Sequence, residues 1–434
     1  MPSPSPTTPG AAPPGSPASR PPPSGREALL AQQPPRRPGL TKRVLVILVL
    51  VVLALAGHRA AQVDGWLRPA VITGPSMQPT LWGPSYAATC PGCAAGQRFH
   101  ASPTPGTLRC WNCGARQPTT TVRPLPADHV ILDRAAYRWA PLGVELVRQN
   151  PRRGDLVAIG NGDSLRVKRV LGIPGDRISV QGNQLRINGH PVPTVLAEPV
   201  EPIPVHRQTI RELAPSDRRS TTGASSRDKT IDPASDRWRY RDPVDGGPRW
   251  LVYHHYSLHD RRPDVIRDDY PCNVTSVRRL NPVPRIGLDL TLRVVQPGTL
   301  RIALWSPEAS QVYQVPLSAG MHHVRVPPPA ASAENKILVP SPIPGNAPLP
   351  VDAQHPVAIA GLAELQPDHV RATVLRGLHW FLRRSDRGSW PEDERILSAG
   401  RYFVAGDNQP LSEDSRSAPE GIPFEQIVGR VVAR

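Results

Sequence analysis

The sequence predicts a mainly β protein carried behind one apolar helix, and three observations predict it. Fifty-six prolines in 434 residues, with an aromatic share of 5%, leave little room for long helices and point to irregular and β-rich chain. Stretches such as "LRVKRVL", "IGLDLTLRVVQPGTLRIALW" and "SQVYQVPLSAGMHHVRVPP" alternate apolar and polar residues with the period of a strand. One stretch only, "VLVILVLVVLALAG", is apolar without a break. The net charge of +16 is spread along the chain as arginine with no run of five or more, which argues against a nucleic-acid partner.

The first element is a tail over 1–43 rich in Pro, Ser, Ala and Arg, which has almost nothing to bury and should be disordered. The apolar run Val44–Gly57 follows. As a helix it measures roughly 21 Å against a hydrocarbon thickness of roughly 30 Å, so tilt and the weakly polar Ala60 and Ala61 must complete a span over 44–61. A cleaved signal peptide competes with this reading, since "ALA" at Ala54–Ala56 fits a cleavage site. The long polar leader favours an uncleaved anchor. Arg36, Arg37, Lys42 and Arg43 then keep the tail in the cytoplasm, and the remainder lies on the outer face of the cytoplasmic membrane, with Trp66 and Trp82 as interfacial anchors or core.

Next comes "VITGPSMQPTLW", in which Gly74 and Pro75 make a turn that displays Ser76 as a candidate nucleophile. A partner is suggested by a rarity. Of 52 Lys and Arg side chains only Lys42, Lys168, Lys229 and Lys336 are lysine. Arginine keeps its proton at any accessible pH, whereas a desolvated lysine can release it and serve as a base. At an ordinary pKa of ~10.4, a lysine is neutral in roughly one molecule in 2,000 at pH 7. Burial must therefore do the work, and "LRVKRVL" suits burial: Leu165, Val167 and Leu171 take one strand face, Lys168 and Val170 the other.

"TGPSMQPTL", "RRGDLVAIGNGDSLRVKRVLGIPGD" and "GDNQPLSEDSRSAPEGIPFEQIVGR" follow one another in the order found in bacterial type I signal peptidases, which the chain resembles. These membrane-bound Ser/Lys endopeptidases remove signal peptides from exported preproteins. The resemblance implies an all-β catalytic core, with Ser76 as nucleophile, Lys168 as general base and Ser412 orienting the lysine. Asp407, Arg169, Asp414 and Arg416 match the supporting charged residues. No cofactor is implied for catalysis. Gly74 stands where some members carry a hydroxyl for the oxyanion. The chain departs from the usual "GDNRDNS" with Gln409 and Leu411, and "SAPEGIP" lacks an aromatic-glycine pair.

Cys90, Cys93, Cys110 and Cys113 form two CxxC knuckles sixteen residues apart, the spacing of a structural zinc site, although two disulfides are open to a domain outside the membrane. Cys272 stands alone and reads as a small buried apolar residue. The expected organisation has core segments over 62–83, 123–190 and 400–434. Between them lie a zinc-ribbon-like insert over 84–122 and a long insert over 191–399, irregular at first and then like a β-sandwich, whose partner the sequence does not name. Two other readings compete. One is a self-cleaving Ser/Lys protease, which would need a DNA-binding module absent from this N-terminus; the other is a membrane-anchored, non-catalytic binding protein.

Overall fold

The computed structural model describes residues 40–63, 66–100, 106–119, 122–139, 147–161, 164–196, 200–210, 237–242, 247–274, 278–326, 340–341, 349–390 and 394–433. Most of the expected tail, and the Arg-rich stretch after Ile210, lie outside them. The chain divides into one unit over 1–64 and a second over 65–434.

In the first unit a helix runs over Leu40–Val63, starting before the apolar run and ending past it. Its large apolar side chains from Val44 to Leu55 are all exposed. Among the described residues no helix is long and apolar enough to cross a membrane. The spanning segment expected over 44–61 is thus found as a helix but not as a span: the unbroken apolar run is fourteen residues, and His58 and Arg59 end it.

The second unit is β. Its central sheet has seven antiparallel strands in the order Leu67–Val71, His129–Asp133, Ile427–Ala433, Leu156–Asn161, Ser164–Gly172, Arg401–Ala405 and Ile422–Pro423. The strand carrying Lys168 is central, which is how so short an alternating stretch becomes buried on both faces. Its partner ending at Ala405 places residue 405 opposite Arg169, so the loop that follows returns to the lysine from more than 230 residues away.

The long 191–399 segment supplies two sheets that share one apolar core. One has the strands Ile203–Ile210, His369–Arg376, Ile286–Val294 and Gly320–Val326; the other has six strands, including Trp250–Tyr253, Gly298–Leu304 and Val357–Ala360. Ile203–Ile210 is a strand where irregular chain was expected. Its proline is tolerated because the strand lies at a sheet edge and its register slips beside Pro204. Nor does packing change at 191 and 399. Tyr270, Cys272, Leu378, Trp380 and Leu382 share a core with Leu171, Ile178 and Phe403 of the central unit. Trp82 is core as well, with the Arg98 guanidinium stacked over its ring.

Candidate active site and cysteine cluster

Ser76 sits in a turn after the strand Leu67–Val71 and is half-buried. The turn is held by Gln78 N–H donating to the Pro75 carbonyl and Leu81 N–H to the Met77 carbonyl, and Met77 plugs into a core with Ile72 and Ala158. A side chain built at Gly74 would meet nothing within 4 Å, so the position is open.

Lys168 is 2% exposed, and its ammonium donates to Ser412 Oγ at 2.8 Å. Burial lowers its pKa to about 8; Asp414 opposes that shift, while Arg166 and Arg416 add to it. At pH 7 about one molecule in ten would then carry the neutral amine, a gain of more than a hundredfold over an ordinary lysine. Among the described hydrogen bonds none joins Lys168 to Ser76. The two are brought to one place by Gly406. A methyl group at Gly406 would collide with both Ser412 Oγ and the Ser76 carbonyl, and Asn408 N–H donates to that carbonyl at 3.0 Å. Absence of a base–nucleophile bond is ordinary in an apo site, where such contacts tighten on substrate binding.

The charged residues form two buried pairs. Arg169 donates to both oxygens of Asp407, at 2.8 and 2.6 Å, and to the Gly154 carbonyl. The Thr80 hydroxyl donates to the same carboxylate, linking it to the Ser76 turn. Arg416, fully buried, donates to both oxygens of Asp414 at 2.8 and 2.9 Å. Burial alone would raise the Asp414 pKa, but the Arg416 guanidinium and the Gly406 N–H hold it below the usual carboxylate range. Neither pair aims a carboxylate at Ser76; each ties the 406–416 loop to a strand or to itself.

Several residues at this site went unnoticed in the sequence. Tyr270 donates to the Asp407 carbonyl, Asn273 exchanges hydrogen bonds with Asn408, Trp380 donates to the Gly406 carbonyl, and Arg383 to the Ser412 carbonyl. All four belong to the long middle segment. No local pattern could have found them, because each contact spans roughly 30 to 140 residues of chain.

The family described as Signal peptidase, peptidase S26 matches residues 115–234 and 381–434. A Signal peptidase I of Leptolyngbya laminosa is 29% identical over 75 residues, 15% of this chain and 32% of that protein. Over these segments the chain is similar to the signal peptidase S26 family. The matched residues hold Lys168, Arg169, Asp407, Ser412, Asp414 and Arg416, while Ser76 and the cysteines lie outside them. The second matched segment starts at 381 and so takes in Phe381 and Arg383. The chain spans about a third of the curated relative it matches.

Apart from that site, the four knuckle cysteines converge so that all Sγ atoms lie within 4.8 Å of one another. The two turns are built alike: Cys90 N–H donates to Ala95 O and Ala94 N–H to Cys90 O; Cys110 N–H donates to Ala115 O and Gly114 N–H to Cys110 O. Ala94 and Gly114 take the matching positive φ that lets each chain reverse beneath its thiols. Cys90 and Cys113 Sγ are 3.6 Å apart, as are those of Cys93 and Cys110. A disulfide needs ~2.05 Å, whereas a tetrahedral ion with sulfur at ~2.3 Å sets sulfurs ~3.8 Å apart. The arrangement fits a metal held by four thiolates.

Proposed function

We propose that this protein is a signal peptidase I, an endopeptidase that removes signal peptides from exported preproteins with Ser76 as nucleophile and Lys168 as general base. The observation that carries the reading is a rare lysine, buried on an interior strand, with a depressed pKa and a hydroxyl partner, Ser412, which together with the carbonyl of a turn-displayed serine lies against Gly406. In the cycle, neutral Lys168 takes the Ser76 hydroxyl proton as Oγ attacks the scissile carbonyl. The leaving amine takes that proton, and the acyl-enzyme is released by a water that Lys168 deprotonates. Ser412 accepts a hydrogen bond from Lys168 and fixes its direction, while the Ser76 N–H is one oxyanion donor. Arg169–Asp407 and Arg416–Asp414 hold the loop that bears Ser412.

The Cys90/Cys93/Cys110/Cys113 site holds a structural zinc: all four places are filled by thiolates, leaving no open position for catalysis. The helix Leu40–Val63 attaches the protein to the cytoplasmic membrane, a role supported by apolar side chains exposed on every side from Val44 to Leu55. The test is cleavage of a preprotein bearing an A-x-A site by the detergent-solubilised protein, with product masses measured. Wild type should cut after that site and Ser76→Ala should not; equal cutting by both would overturn the reading.

A further inference from the structure

We infer that Gln409 is a positioning residue through which the long middle segment holds the Ser412 loop against Lys168. The inference rests on the Ser/Lys reading above. Gln409 departs from the arginine usual at its place, and it is 3% exposed. Its Oε1 accepts the Phe381 N–H at 2.8 Å and faces Arg416 Nη1 at 3.4 Å, while its Nε2 donates to the His379 carbonyl. Its own carbonyl accepts Arg416 Nη2 at 2.7 Å, and the same guanidinium reaches the Ser412 carbonyl at 3.2 Å.

The Gln409 amide offers an acceptor to one main-chain N–H and, from a separate atom, a donor to a main-chain carbonyl. An arginine here would have no acceptor and would set a second cation beside the fully buried Arg416. Within five successive residues, His379, Trp380, Phe381 and Arg383 thus contact Gly406, Gln409, Ser412 and Arg416. The middle segment is therefore a clamp on the loop whose Ser412 receives the lysine. The charged groups around Lys168 are Asp414, Arg166, Arg416 and Glu413, so a shift of the loop changes both the burial and the field that set its proton affinity.

The test compares Gln409→Met, which keeps volume but makes no hydrogen bond, with Gln409→Glu, which keeps the acceptor for Phe381 and Arg416. Two quantities are read: kcat and KM on a preprotein, and the Lys168 titration by 13Cε-lysine NMR, where four lysines give four signals. Gln409→Met should lower kcat by about tenfold or more with KM little changed, since small misplacements of a catalytic group are costly. It should also raise the Lys168 midpoint as water reaches the amine, and Gln409→Glu should restore most of kcat. A Gln409→Met protein with wild-type kcat and Lys168 midpoint overturns the inference, as does a Glu variant no better than Met. The NMR titration keeps the two claims apart. If wild type cuts no preprotein but Gln409→Met still moves the Lys168 midpoint, the clamp stands and the peptidase reading fails. Should Gln409→Met not fold, Trp380→Phe, which removes the hydrogen bond to the Gly406 carbonyl, carries the test: a raised Lys168 midpoint with lowered kcat supports the clamp, and wild-type values of both overturn it.

Discussion

A buried lysine costs stability wherever it must be charged. Lys168 titrates near 8 in the folded chain against an ordinary 10.5, so between those values the unfolded state binds more protons and stability rises with pH. Below about pH 8 the penalty is fully present. Lys168→Met should therefore be more resistant to denaturant than wild type at pH 6.5, by a margin that shrinks towards pH 10, as urea midpoints would show. Lys168→Arg should abolish turnover while the circular dichroism spectrum is kept, because arginine holds its proton. Breaking the buried Arg169–Asp407 pair leaves an uncompensated charge, so Arg169→Met should cost about 3–5 kcal/mol in denaturant unfolding. Gly406→Ala should lose cleavage while Gly74→Ser is accommodated, because the first site is filled by Ser412 and Ser76 and the second is open.

Among the elements, the paired knuckles should bind about one zinc per chain, and Cys90→Ser should lose it with the order of its turn, measured by metal analysis and proteolysis. The knuckles also lean on the middle segment: Asn112 exchanges hydrogen bonds with the Arg207 backbone, and Gln97 donates to the Pro271 carbonyl. Much of this was legible beforehand. Spacing alone brought the four cysteines together, and the scarcity of lysine singled out Lys168. What the sequence hid were contacts that depend on strand order. Tyr270, Asn273 and Trp380 carry no periodic or motif signal, and their partners become neighbours only once Arg401–Ala405 pairs with the lysine strand. The middle segment was expected to interrupt the catalytic core, and Cys272 and Trp380 within it pack into the central core.

At the scale of the whole molecule, the 406–416 loop of the β unit is held from one side by strands of the central sheet and from the other by residues between 270 and 383. The proposed signal peptidase function predicts selection for a small residue directly before the scissile bond. Preproteins with phenylalanine at that position should be cut far more slowly than those with alanine. The central claim is that neutral Lys168 activates Ser76, and single-turnover cleavage measured against pH tests it most directly beside the NMR titration of the same lysine. The account predicts a rate that rises with a midpoint near 8, coincident with the Lys168 titration and absent in Ser76→Ala. A rate independent of pH across that range, or one that rises while the Lys168 signal stays unchanged, would contradict it.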